Sequence, residues 1–175
     1  MQAGLARSLL PSGGRVLSVE GPSMFSASLH RRRGLEDALA GSGIEIAKTI
    51  GADWSLAGAE RGVTSWLGLA GKSAVRPALI VAQNDEMAVG AVRAIQAARP
   101  EWGAVPAIGV DGLASGGQRW VREGILAATI VCATPTGAAV ELVASALAGK
   151  QVPPVTVVPV RPYPPPEQLA PLPKK

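Results

Sequence analysis

Hydrophobic positions along this chain switch repeatedly between a helical spacing and short unbroken runs. Residues 1–10 carry a helical pattern that Pro11-Ser12-Gly13-Gly14 ends. RVLSVE (15–20) reads as a strand, 26–40 as a helix stopped by Gly41-Ser42-Gly43, and IEIAKTIG (44–51) as a second strand. Residues 55–70 form the next helical stretch, with Ser55 as its N-cap. ALIVA (78–82) is a buried type of strand, and the helix at 85–98 sets Ala88, Ala91, Val92 and Ile95 on one face. AIGV (107–110), a short helix at 115–123, LAATIVC (126–132), a helix at 135–148 and VTVVPV (155–160) complete the alternation. From Arg161 onward the chain is proline-rich, which predicts an extended, weakly ordered tail. No internal repeat is visible.

Strands alternating with helices predict an α/β fold: a three-layer parallel sheet with helices on both faces. In such sheets ligands bind outside the carboxyl ends of the strands. That rule selects a small set of residues. Arg31 lies in the first turns of the helix after RVLSVE, Trp54 follows the second strand, Asn84 the third and Asp111 the fourth, while Cys132 ends LAATIVC. A guanidinium, an indole, a carboxamide and a carboxylate on one rim suit a polyhydroxylated ligand. Arg presents a fixed fork of donors, Asp accepts, Asn does both, and a Trp face covers the C–H face of a sugar ring. Arg31 and Asp111 would also offset each other's charge in a dry site. Each residue has a structural alternative. Asn84 and Asp85 can cap the following helix, Asp111-Gly112 can be a turn, Trp54 can be core, and Arg31 can be solvated with Arg32 and Arg33.

Composition narrows the function further. With 175 residues, 47% hydrophobic and 17% charged, the chain can bury a core, and the length allows one domain or one and a fraction. Net charge is +4, but the basic residues are scattered apart from Arg31–Arg33 and Lys174-Lys175, and no nucleic-acid-binding motif accompanies them, so no nucleic-acid partner is expected. One Cys and one His exclude the common zinc frameworks and an intrachain disulfide. The uncharged run 124–140 is too short and too rich in Thr and Pro for a membrane span, and no secretory leader is visible after Met1. Taken as given, the chain would be cytoplasmic.

Three catalytic-looking stretches fail on spacing. GLAGKS (68–73) has Trp66 where a phosphate loop needs its first Gly, and it follows a helix instead of opening one. AGSGIE lacks the third Gly of a dinucleotide fingerprint, and GPSMF lacks the second Gly of a nucleophile elbow. His30 is the only imidazole and neighbours three Arg, which leaves a Ser or Cys hydrolase without a base. No enzyme and no cofactor are expected.

Several segments together carry a family likeness. AQNDEMAVGAVRAI (82–95) resembles the corresponding segment of periplasmic sugar-binding proteins of ABC transporters, the ribose-binding type, and is the most specific part. IGVDG resembles their G-F-D-G turn, REGILAATI their G-K-L-A-A-T strand, SLHRRRGLEDAL their R-x-x-G-F-x-x-A-L helix, and GADW the segment bearing a ligand-stacking aromatic. The likeness runs from about Gly14 to Val160 and implies one lobe of a type I periplasmic-binding-protein fold, which has two α/β lobes closing on a monosaccharide that is then presented to an ABC permease. By position, Arg31, Trp54, Asn84 and Asp111 fall where that family contacts its sugar; Cys132 stands where a hinge-side Gln is frequent, and Val110 where an aromatic usually precedes the Asp.

The likeness also implies an N-terminally truncated protein. Residues 1–132 would be the second lobe, 133–154 a crossover segment and helix belonging to an absent first lobe, 155–162 a return strand, and 163–175 the proline-rich tail. The parent family is periplasmic. The helix at 135–148 has an apolar face, Ala139, Leu142, Val143 and Leu147, which without the missing lobe would stay wet, fold back on the second lobe or find another chain, so an exposed or self-associating helix is expected. A chain with one lobe is expected to bind sugar weakly or not at all, since pockets usually bury most of a ligand. The alternative function is the effector-binding part of a LacI-type transcriptional regulator, which shares the fold. A chemoreceptor-docking role, an enzyme on the same scaffold and a decayed gene product are the remaining readings.

Overall fold

A computed structural model describes residues 1–173. Lys174 and Lys175, the basic end of the tail, lie outside the described residues. Six strands form one sheet: β1 (Gly14–Glu20), β2 (Ile44–Gly51), β3 (Leu79–Ala82), β4 (Ala107–Asp111), β5 (Ala128–Cys132) and β6 (Val160–Tyr163). Their order is β2-β1-β3-β4-β5-β6. Neighbours from β2 to β5 pair in parallel, and β6 pairs antiparallel with β5. Six helices accompany them: α1 (Gln2–Leu9), α2 (Ser26–Leu39), α3 (Leu56–Ala70), α4 (Asp85–Ala98), α5 (Gly117–Arg122) and α6 (Thr136–Leu147).

The strands read as near-continuous apolar runs because both faces of the sheet are covered. Along β1, Val16 packs with α1 and α2, while Leu17 and Val19 pack with α3 and α4. In β3 the same alternation sends Leu79 and Val81 to the first face and Ile80 and Ala82 to the second. The expected three-layer architecture is therefore present. Strand β2, at an edge, is fully covered on neither face, and its exposed positions include Glu45 and Lys48, charges of the kind that blunt an open edge.

Close helix packing follows from one glycine. A methyl at Gly90 of α4 would overlap the Leu56 carbonyl at the start of α3. Ala59 lies against the same site, so the two helices approach at backbone distance. Ser55 caps α3 as expected, its hydroxyl accepting from the Gly58 N–H at 2.9 Å.

Two expectations for the carboxyl-terminal region need correction. The return strand, expected over 155–162, starts later and runs over Val160–Tyr163. Residues 155–159 lie outside the sheet, and pairing starts at Val160, opposite Cys132, ending with Tyr163 opposite Thr129. The alternation in VTVVPV reports β propensity, yet a strand also needs a neighbour with a free edge, and β5 offers its edge only between Thr129 and Cys132. Being antiparallel, β6 also makes the sheet mixed instead of wholly parallel. Pro162 is tolerated because it sits on an edge strand.

Nor is the tail a loose extension. After β6, Leu169 and Leu172 are half-buried against the cluster that holds Leu5 and Leu9 of α1, and the Leu172 N–H donates to the Leu9 carbonyl at 2.8 Å. Two leucines three residues apart suffice to dock a proline-rich segment on a helix. The apolar face of α6 is uncovered as expected: no residue of this helix is buried, and Val143 and Leu147 are 59% and 85% exposed. Leu142 is half-buried.

Candidate functional site

The sheet order places a switch point between β1 and β3. From β1 the chain turns outward to β2, and it then crosses over to β3 on the other side. The loops after β1 and β3 therefore diverge, which opens a crevice at the carboxyl ends of these strands. A hydrogen bond joins the two strand ends there. Gly21 follows β1, and its N–H donates to the Gln83 side-chain oxygen at 3.1 Å. Gln83 follows β3 and spends its amide N–H on the Ser28 carbonyl at 3.0 Å. Both ends of this buried side chain are thus occupied by protein.

Arg31 comes into the crevice from α2. Its guanidinium donates to the Gln83 carbonyl, stands 3.7 Å from the Asp111 carboxylate and lies 5.7 Å from the centre of the Trp54 ring. Three of the residues picked from the sequence therefore meet at one group. The neighbouring arginine has a different task. Arg32 pairs with Glu20, a carboxylate almost wholly buried at the end of β1, which also accepts from Ser18 at 3.0 Å. That bond ties α2 to the sheet one residue from Arg31 and so fixes which way Arg31 faces. The Glu20 contact also raises the Arg32 guanidinium above its ordinary pKa. Arg33 is exposed.

Among the described residues, Trp54 and Asp111 are the non-glycine residues with left-handed backbone, at φ 67° and φ 104°. Such strain gathers where function over-determines geometry. Trp54 is held on both sides. The Asn84 side-chain N–H donates to its carbonyl at 2.7 Å, and the flanking Asp53 accepts from the Ser55 N–H and hydroxyl, at 3.2 and 2.5 Å. The Ser55 hydroxyl, acting first, holds the Asp53 carboxyl below its usual range. The indole leans on Gly21, where a methyl would overlap its six-membered ring. The other tryptophans, Trp66, Trp102 and Trp120, are partly buried at the margin of the core that holds Val63, Met87 and Ile95.

Asn84 caps α4, accepting from the Met87 N–H at 2.8 Å, and anchors Trp54 through its other end. The capping alternative raised for this segment is thus real for Asn84 but not for Asp85, and the Asn84 amide still has one donor and one lone pair left. Burial pushes the Asp111 carboxyl upward against the pull of Arg31. Cys132, half-buried, lies at the same end of the sheet; burial raises its thiol too, with Asp111 and Arg31 nearby.

Sequence reasoning missed Asp85 beyond its place at a helix start. Its carboxylate is buried and accepts from the Gly112 N–H at 2.7 Å and the Thr129 hydroxyl at 2.5 Å. Burial pushes its pKa up to about 6, against the lowering effect of those two donors. No linear motif announces contacts 27 and 44 residues away. Gly109 and Gly117 were the available signal, since a methyl at either would overlap this carboxylate.

A second concavity, of 680 Å³, lies at the opposite, amino ends of the strands, lined by Leu10, Gly14, Arg15, Arg76, Pro106 and Leu172 among others. Its guanidiniums are already engaged: Arg76 donates to the Trp102 and Ala104 carbonyls at 2.8 and 3.0 Å, and Arg15 pairs with Glu45. The crevice at the carboxyl ends is the better candidate.

Residues 1–151 match the periplasmic binding protein domain. The chain belongs to this family. A relative from Rhizobium meliloti, provisionally described as a rhizopine-binding protein, is 30% identical over 106 residues, covering 59% of this chain and 33% of its own. Among solved structures, a periplasmic solute-binding protein of an ABC transporter from Actinobacillus succinogenes 130z, with bound D-allose, is 26% identical with a TM-score of 0.81, covering 95% of this chain and 57% of its own. An ABC-transporter solute-binding protein from Bacillus halodurans C-125, with bound myo-inositol, is also 26% identical, with a TM-score of 0.78, and covers 96% and 58%. The chain thus spans a third of the first relative and somewhat over half of the two solved proteins. These relatives are substrate-binding proteins, not enzymes, and their family is periplasmic. Among the described residues, no helix is long and apolar enough to cross a membrane.

One consequence can be tested at Gly21. Gly21→Ala is expected to displace the Trp54 ring and, if the crevice takes a ligand against the indole, to weaken its binding by about tenfold, while Trp54, half-exposed, costs the fold no more than about 1 kcal/mol. Polyol titration and urea denaturation of the same variant would separate the two effects. An affinity equal to wild type would remove the indole from the site.

Proposed function

We propose that this chain forms one wall of a monosaccharide-binding cleft in the substrate-binding component of a carbohydrate ABC transporter. The observation that carries the reading is the meeting of Arg31, Trp54 and Asp111 at the switch point of the sheet, with Asn84 anchoring Trp54. Arg31 supplies donors to adjacent hydroxyls, Asp111 accepts from them, Trp54 offers an aromatic surface to C–H groups, and Cys132 closes the far side of the wall. Relatives binding D-allose and myo-inositol support a ring bearing several hydroxyls as the ligand class. By family, the site of action is the periplasm and the partner a membrane permease.

Nuclear magnetic resonance tests this directly. Titration with D-allose, D-ribose, fructose and myo-inositol is expected to give saturable shifts at the Trp54 indole N–H, the Arg31 side chain and Gly112 for at least one of them. A single wall leaves much of the ligand in water, so saturation should need a high concentration. Saturable shifts confined to the other end of the sheet, or none anywhere, would end the reading.

The uncovered face of α6 is where a further piece of a longer protein, or a second copy, would pack. Val143→Glu with Leu147→Glu is expected to leave the unfolding free energy within about 0.5 kcal/mol, since both side chains are exposed, and to lower any self-association. Sedimentation at several concentrations reads the second effect, and unchanged association would place the contact elsewhere.

A further inference from the structure

Asp111 faces Arg31 only because its backbone is left-handed, and the next residue, Gly112, is left-handed as well, at φ 60°. Two such residues in succession do not hold themselves. A methyl at Gly112 would overlap the backbone of Val131, so the turn is pressed against β5. Its N–H points the other way, to Asp85 at the start of α4. The second oxygen of Asp85 is held by Thr129, which pairs with Gly109 across β4 and β5. Gly109 and Gly117 leave room for the carboxylate between β4 and α5. Two strands and two helices, β4, β5, α4 and α5, thus converge on one side chain that itself stays buried.

We propose that Asp85 is a positioning residue of the binding cleft: by accepting from the Gly112 N–H and the Thr129 hydroxyl, it fixes the turn that aims the Asp111 carboxylate at Arg31 and the ligand. This rests on the carbohydrate reading of the cleft for its purpose, though not for its geometry. Asp85 touches no ligand. What it supplies is an acceptor at a fixed place, so its charge is dispensable and its oxygen is not. Asparagine at this position keeps an oxygen for Gly112 and turns its amide to Thr129, whose hydroxyl can accept as well as donate. Alanine keeps neither.

The experiment compares wild type, Asp85→Ala, Asp85→Asn, Asp111→Ala and the Asp85→Ala/Asp111→Ala double variant by two measurements. Amide exchange at Gly112 needs no ligand; titration with D-allose and myo-inositol reads affinity. Asp85→Ala is expected to speed Gly112 exchange and to weaken polyol binding, each by about tenfold, the worth of one lost buried hydrogen bond. Asp85→Asn is expected to restore both to within about threefold of wild type. The double variant should bind no more weakly than Asp111→Ala alone, because residues acting through one another are not additive. Unchanged Gly112 exchange in Asp85→Ala, or additive losses in the double variant, would overturn the proposal. If Asp85→Ala does not fold, Thr129→Val takes its place: it removes one of the two anchors, and is expected to speed Gly112 exchange about threefold. Equal exchange there would overturn the proposal too. Should wild type bind no polyol while Gly112 is released in Asp85→Ala, the carbohydrate reading falls and the assignment of Asp85 to the turn stands.

Discussion

Under the proposed carbohydrate function, replacing Arg31 by alanine is expected to lower polyol affinity by about a hundredfold or more, the loss of two charge-assisted hydrogen bonds. The fold should lose little, about 1–2 kcal/mol, chiefly the part-buried bond to the Gln83 carbonyl. Arg31 is a third exposed, its pairing with Asp111 is 3.7 Å long and half in water, and such pairs contribute about 0–1 kcal/mol. Arg31→Lys separates charge from shape: it keeps the cation near Asp111 but loses the planar fork, so its affinity should fall between those of wild type and the alanine variant. Titration of the three proteins at two salt concentrations decides the point. An alanine variant that binds as wild type does would show that the guanidinium serves only to brace Gln83 and Trp54. The same substitution frees Asp111 from its one nearby cation, so the carboxyl should titrate still higher, a direction that carbon-detected resonance spectroscopy can read.

The alternation of periods was enough to reveal five of six strands and all six helices because this sheet is covered on both sides. Each strand becomes an apolar run, each helix a striped one, and turns must fall between them. β6 escaped because strand pairing at an edge depends on the neighbour's register, not on the strand's own residues. The tail escaped for a related reason: Leu169 and Leu172 signal nothing until α1 is in place beside them. The site was legible to the extent that it hangs on strand ends. Arg31, Trp54, Asn84 and Asp111 could be picked by topology alone, and the structure brings them together. The second tier was not legible. Gln83, Glu20 with Arg32, and Asp85 reach residues up to 62 positions away, and half of their partners are main-chain groups that any sequence offers. Arg32 is instructive, because a run of three arginines reads as a solvated face, yet only Arg33 is fully free of the mouth and its supports.

Asp85 should also make this fold more stable in mild acid than at neutrality. A carboxyl has an ordinary pKa of 3.8; in the folded chain burial moves that of Asp85 to about 6. Below pH 3.8 the group is protonated in both states and costs nothing extra. Between there and pH 6 the folded state holds the proton that the unfolded chain has released, and above pH 6 both are ionised while only the folded one is desolvated. The stabilising effect of protonation is therefore fully present below the unfolded value and lost as pH rises through the folded one, a difference on the order of 3 kcal/mol between pH 4 and pH 7. Asp111 is shifted in the same direction, and Asp53 in the opposite one, so the whole-protein curve is a sum. The difference between wild type and Asp85→Asn isolates the group. Urea denaturation at pH 4.5, 5.5 and 7 should find the variant gaining on wild type as pH rises, and more stable at pH 7. Parallel curves would mean that the two donors outweigh burial and that Asp85 is an ordinary ionised helix-start carboxylate. A gain in stability together with retained Gly112 protection would further show that the ionised form is tolerated here for its acceptor geometry, at a cost the rest of the core covers.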